Sequence, residues 1–243
     1  MNNKNELLNL LDYENKVFQS LNYSNNIVPK SIPILWFGNY EKYHSSNLKI
    51  ITVSLNPSDN EFKTNKNDLY STDYRFPSYD ETVNGLYNAY NEYFIQKPYN
   101  SWFKSSFRSV LKSFEASHYN GEKNHALHTD IGSPYGTNPT WSNLDKTTKH
   151  KLEEIGSISW HKLIKILNPD VILFSASNSF EKKIKFDQIG NWKEFDVKAD
   201  RPLLSGKFRI NSDKTTSILF QIQGRKPFLK TKKEEKLNFR KYI

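Results

Sequence analysis

Residues 48 to 62, LKIITVSLNPSDNEF, run an apolar strand straight into an Asn-Pro-Ser turn, and this constrains the fold more than any other stretch. Ile50, Ile51, Val53 and Leu55 are apolar at adjacent as well as alternate positions, which fits a strand covered on both faces, as in a parallel sheet flanked by helices. Pro57 has no amide hydrogen to offer a neighbouring strand and ends the ladder. In open α/β sheets ligands bind beyond the carboxyl ends of strands. The carboxamide of Asn56, the hydroxyl of Ser58 and the carboxylates of Asp59 and Glu61 are therefore expected at the lip of an active site.

The rest of the chain repeats this grammar. Leu7, Leu8, Leu11, Val17, Phe18 and Leu21 recur at helical spacing and predict an N-terminal helix ended by Pro29 and Pro33. Residues 59–80 are polar and too long for a plain connection, so they read as a functional loop anchored by Phe62, Tyr74, Arg75 and Phe76. Helices are expected over Asp80 to Gln96, Ser101 to Ala116 and Lys149 to Leu167, and strands over Ala126 to Ile131, Val171 to Ser175 and Ser217 to Gln223. Strand, helices, strand, helix, strand implies an α/β chain with a parallel sheet between helices. The segment HALHTDIGSPYGTNPTW, residues 125–141, opens from its strand into a Gly/Pro/Asn loop. That loop is expected to expose His128, Asp130, Ser133, Tyr135 and Asn138 near Asn56. His125 and His128 point to opposite faces of a strand, so no zinc site is expected from them.

Composition sets limits on function. The 243 residues suit one domain, with an N-terminal helical extension (1–30), a loop insertion (59–80) and a basic C-terminal tail (225–243). There is no cysteine, which excludes disulfides, thiolate zinc sites, iron–sulfur clusters and cysteine nucleophiles. No apolar run is long enough to span a membrane and the N-terminus lacks a signal-peptide pattern, so a cytoplasmic protein is expected. The net charge of +9 favours polyanions, through phosphate neutralisation and counterion release. From Arg225 onward eight basic residues face two acidic ones, so much of the excess lies in the tail.

In order, strand-LNPS, strand-HTDIGSPYGT, a helix leading into NPDVILFSAS, and a last strand with a Gly/Pro turn resemble the uracil-DNA glycosylase superfamily. The resemblance covers roughly residues 48–228 and rests on motif order. It implies a three-layer α/β/α sandwich with a central, mainly parallel four-stranded sheet, and DNA as the partner. Asn56 takes the place of the residue that positions the attacking water, in the style of the Asn-Pro mismatch-specific and single-strand-selective branches. Asp130 takes the place of the base-reading Asn. The family's His-Pro-Ser motif falls on Gln223, Gly224, Arg225, Lys226 and Pro227, where there is no histidine, so Arg225 or backbone amides must steady the leaving base.

The residues support this chemistry independently of the family. Cleaving an N-glycosidic bond needs a held water, a proton acceptor and electrostatic help for the departing base. Asn56 suits the first role, and Asp59, Glu61 or Asp130 the second. Leu55, Pro57, Ser58, Ser133, Tyr135 and His128 are expected to line the substrate, with Phe62 or Phe76 either stacking on a flipped base or anchoring the loop. Ser58 and the amides after Pro57 could bind a phosphate. An ionised Asp130 accepts only, so it favours an amino-bearing or modified base, such as a modified cytosine, over uracil. The expected activity is a metal-independent DNA glycosylase without cofactor. Two alternatives stand beside it, a non-catalytic nucleic-acid-binding module and a metal-dependent nuclease or nucleoside hydrolase.

Overall fold

The apolar run of residues 50–54 is strand β1 (Ile50–Ser54), buried at every position in the computed structural model of the chain. The structure describes residues 3–21, 25–64, 69–176, 181–197, 202–212, 214–222, 227–228 and 231–243. β1 pairs in parallel with β4 (Val171–Ala176), from Ile50 opposite Val171 to Val53 opposite Phe174. β4 pairs in parallel with β7 (Lys214–Ile222). On the other side of β1 lies β3 (Asn124–Asp130), with the two-residue β2 (Ala116–Ser117) parallel to it. As expected of strands covered on both faces, β1, β3 and β4 are buried at every position.

The α/β class holds, but a four-stranded, mainly parallel sheet is too small. β6 (Leu203–Asn211) and β5 (Asp187–Phe195) add antiparallel strands beyond β7, giving a mixed seven-stranded sheet in the order β2-β3-β1-β4-β7-β6-β5. β5 was hard to read because no residue along it is buried and its register shifts between Ile189 and Lys193.

The chain divides into two compact units, each assembled from separated segments. Unit 2 comprises residues 40–54, 100–128 and 167–243, so it holds the sheet apart from the last two residues of β3. Its core joins Ile50, Leu173 and Leu219 of the sheet to Phe107, Val110 and Phe114. The expected helix over Ser101 to Ala116 is two shorter ones, α4 (Asn100–Ser106) and α5 (Arg108–Lys112), broken at buried Phe107. α2 (Tyr40–Ser45) precedes β1. At the C-terminus, α7 (Lys233–Lys236) and a 3-10 turn at Phe239–Tyr242 fold onto this unit. Phe239 is fully buried 5.5 Å from the Phe228 ring, and Ser205 Oγ donates to the Tyr242 carbonyl at 2.7 Å.

Unit 1 comprises residues 1–39, 55–99 and 129–166, and is largely helical. The N-terminal helix α1 (Asn3–Leu21) belongs to its interior, burying Leu7, Leu10, Leu11, Glu14 and Phe18 along one face. The helix expected from Asp80 begins later, as α3 (Val83–Glu92), because Asp80 Oδ1 accepts from the Thr82 amide and Thr82 Oγ1 caps Gly85 N at 2.9 Å. α6 (Lys146–Leu167) starts one turn earlier than expected, with Asp145 accepting from the Thr148 amide at 2.9 Å. Among the described residues no helix is long and apolar enough to cross a membrane.

Candidate active site

Unit 1 gathers the segments after β1 and at the end of β3 into one cradle. The carbonyl of Leu55 accepts from Gly132 N at 2.8 Å and from Ser133 N at 3.0 Å, joining the two turns directly. This close approach needs glycine. A Cβ on Gly132 would stand 2.6 Å from Leu55 O, and one on Gly156 of α6 would stand 2.4 Å from Gly132 O. Ser58 and Ile27 both form bridges to Thr137, which therefore sits between them.

Asn56 hangs in this cradle by its amide nitrogen. Nδ2 is 2.9 Å from the Pro57 carbonyl, 3.3 Å from the Tyr135 carbonyl and 3.0 Å from Thr137 Oγ1. Two of the partners are carbonyls and can only accept, so the NH2 group must point at them and the orientation of the amide is fixed. Oδ1 is turned away, and it has no hydrogen bond among the described residues. A half-buried carboxamide held this way presents one oriented acceptor, which is what is needed to hold and polarise a water molecule.

The three acids nearby have different environments. Asp59 is buried but paired with Lys63 at 2.8 Å, so its carboxylate is already committed. Glu61 is buried, accepts a hydrogen bond from the Tyr93 hydroxyl, and feels the charge of Arg75. Burial outweighs both and pushes its carboxyl up to about 7, so it exchanges a proton near neutrality. Burial, helped by the charge of Glu61, pushes Asp130 well above the usual carboxylate range. Burial thus disfavours the ionised, acceptor-only form and favours the protonated one. In its protonated form Asp130 has an O–H to donate and a carbonyl to accept.

The expected exposure of the second motif is not found. Asp130, Ser133 and Tyr135 are buried, and only Asn138 is exposed. Tyr135 supports the cradle from behind, since its carbonyl accepts from Asn56 and its hydroxyl donates to buried Glu14 on α1 at 2.8 Å. Ser133 Oγ accepts from Tyr135 N at 3.1 Å, and Pro57 is buried. Phe62 and Phe76 are fully buried with ring centroids 5.8 Å apart, and Phe76 packs on Tyr93, so both anchor the loop. The cavity beside Asp130, lined by Leu35, Pro134, Gly156, Ser159, Trp160 and Leu163, is too tight for a water molecule.

His128 belongs to unit 2 rather than to this cluster. There Thr52 Oγ1 lies 2.8 Å from His128 Nδ1 and 2.9 Å from His118 Nε2, with Phe103 and Phe107 packed on both rings. Gln223, Gly224, Arg225 and Lys226, the expected DNA contacts, lie outside the described residues. Among the described residues no group of three or more histidines and acids is arranged to hold a metal ion.

Several site residues escaped the sequence reading. Thr137 lay inside the quoted motif, without a signal to single it out. Glu14 did carry a signal, being an acid on the apolar stripe of α1, and in the fold it accepts from Tyr135 and from Ser159. Tyr93 carries no sequence signal that sets it apart from the aromatics around it, yet its hydroxyl donates to Glu61. Comparison of the chain with protein-family models, with curated proteins and with solved structures gives no match.

Proposed function

We propose that the protein is a metal-independent DNA glycosylase, hydrolysing the bond between deoxyribose C1′ and a flipped base to leave an abasic site. The observation that carries this reading is the fixed amide of Asn56, whose NH2 group is held inward among three acceptors and leaves one oxygen oriented for water. In the proposed reaction the water oxygen bonds to C1′, the C1′–N bond breaks, and the base leaves with the bonding electrons. The proton from water passes to Glu61, the acid poised near neutrality. Protonated Asp130 donates to a carbonyl oxygen of the base as negative charge collects there. This favours a carbonyl-bearing base such as uracil at least as much as the amino-bearing base expected from an ionised Asp130. The resemblance in motif order and the net charge of +9 make DNA the substrate of choice. A three-layer arrangement is part of the same proposal, with β3, β1, β4 and β7 as a parallel core of four strands inside the mixed seven-stranded sheet.

The test is abasic-site formation on single- and double-stranded DNA carrying uracil, hypoxanthine or modified cytosines. The expected result is a product that survives chelator and falls about 100-fold or more in Asn56→Ala. The closed cavity beside Asp130 favours a second reading, a nucleic-acid-binding module without catalysis. Salt-sensitive retention of DNA with no abasic product on any substrate would establish that reading instead.

A further inference from the structure

In unit 1 the segments around Tyr74 and Lys97 bring together a cluster of cations and aromatic rings that the proposed chemistry does not use. Arg75 is fixed by donating Nε to the Asn60 carbonyl at 3.1 Å and Nη1 to the Lys97 carbonyl at 2.5 Å. Its guanidinium carbon is 5.3 Å from the centre of the Tyr74 ring and 5.6 Å from that of Tyr99. Lys97 Nζ stands over the Tyr74 ring at 5.1 Å. Tyr74, Arg75 and Tyr99 are half-buried and Lys97 is exposed, so the rings and charges reach the surface of the unit. The cluster is also tied to the candidate site, because Tyr99 N donates at 2.8 Å to the Tyr93 hydroxyl that bonds Glu61.

We infer that Tyr74, Arg75, Lys97 and Tyr99 form a platform for single-stranded DNA beside the candidate site, with bases stacking on the tyrosines and phosphates meeting the two cations. This rests on the glycosylase reading for the choice of DNA, but the platform is read from its own geometry. Proteins that hold single strands without reading sequence pair aromatic faces with a cationic track, because every base has a π face and every nucleotide a phosphate. Duplex DNA offers its phosphates but not its base faces, so the two tyrosines gain nothing from it. Arg75 already spends two of its five N–H donors on holding the loop, and Nη2 makes no hydrogen bond among the described residues. The fixed guanidinium is thus an oriented phosphate ligand, with no side-chain freedom left to lose on binding. Exposed Asp73 beside Tyr74 sets the limit of the platform in sequence.

The experiment is fluorescence anisotropy with the full chain and a fluorescein-labelled oligo-dT of about 20 nucleotides, compared with the matching duplex and an oligo-rU strand over a range of salt concentrations. The expected result is tighter binding of oligo-dT than of either competitor. Tyr74→Leu should weaken oligo-dT binding at least about fivefold. Lys97→Gln, a change at an exposed side chain, should lower the slope of log affinity against log salt by about 0.7, one single-strand phosphate contact. Parent-like affinity and slope in both variants, no binding by the parent, or tighter binding of duplex or oligo-rU would each overturn the assignment. Binding that depends on Tyr74 and Lys97 in a protein that forms no abasic sites would leave the platform standing while the glycosylase reading fails.

Discussion

Thr137 Oγ1 lies 3.0 Å from Asn56 Nδ2 and is the one side chain among the three groups that hold this amide. The other two are main-chain carbonyls, which mutation cannot remove. Thr137→Val, close in shape and fully buried, therefore tests directly whether the amide's orientation matters. Loss of one hydrogen bond should lower kcat about 3- to 10-fold with little change in KM. An unchanged kcat would separate the amide's orientation from catalysis.

Glu61 should make the protein less stable as pH rises. Its carboxyl titrates at about 7 when folded and near 4.5 otherwise, so the folded state binds the proton more tightly. Below pH 4.5 both states are protonated and the group is neutral to stability. Between 4.5 and 7 a penalty accumulates, reaching up to roughly 3 kcal/mol above pH 7. Glu61→Gln cannot ionise and can still accept from Tyr93. Urea unfolding should find the variant more stable than the parent at pH 8 and equal to it at pH 4. Equal stability at both would show that Glu61 ionises freely.

The histidines of unit 2 work in the opposite direction. Burial lowers His128 to about 3 and His125 to about 4, so both stay neutral while folded. The unfolded chain takes up protons near pH 6.5, and stability is lost as pH falls from there toward 4 and 3. His128→Asn keeps a polar atom near the Nδ1 position that meets Thr52 and removes the ionisation. It is destabilised overall by lost ring packing on Phe103 and Phe107, but its stability should fall less steeply between pH 6 and 4. A slope as steep as the parent's would locate the acid sensitivity elsewhere.

Gly156→Ala should be costly although it adds only a methyl group to a helix. The new Cβ meets backbone, 2.4 Å from Gly132 O and 2.6 Å from Ser133 Cα, so α6 or the 132–133 turn must shift. Overpacking of this kind costs about 1–3 kcal/mol, which lowers Tm by about 3 °C or more in a chain of this size. The shift also pulls on the two amides bonded to Leu55 O, so activity should fall with stability. A variant with unchanged Tm would show that the helix yields freely at this point.

The parts of the fold that were legible in the sequence are those where one element declares itself. IITVS and VILFSA are apolar at every step, and only a doubly covered strand accounts for that. Leu7, Leu11 and Phe18 on the inner face of α1 follow from its period, whereas Leu10 and Glu14 are buried in place of the expected Leu8, Val17 and Leu21, which are half-buried. β6 could have been read from the alternation in KFRI ahead of an Asn-Ser turn, but Gly206 and β5, with no buried residue, hide the hairpin partner. The site was half legible. Asn56 and Asp130 stand on readable strand ends, whereas their environments depend on groups far along the chain. No local pattern tells that Tyr93 will meet Glu61 across 32 residues, or that burial will push the Asp130 carboxyl well above its usual range.

Unit 1 also has a timetable. Glu14 on α1 meets its first donor, Tyr135, 121 residues later and its second, Ser159, 145 residues later. At synthesis rates of about 5–20 residues per second, α1 is made about 7–30 s before the helix that completes its burial. During that interval a carboxylate sits in the middle of its apolar stripe, solvated and charged. Burying that face therefore carries a desolvation cost that its two donors, both made much later, help to offset.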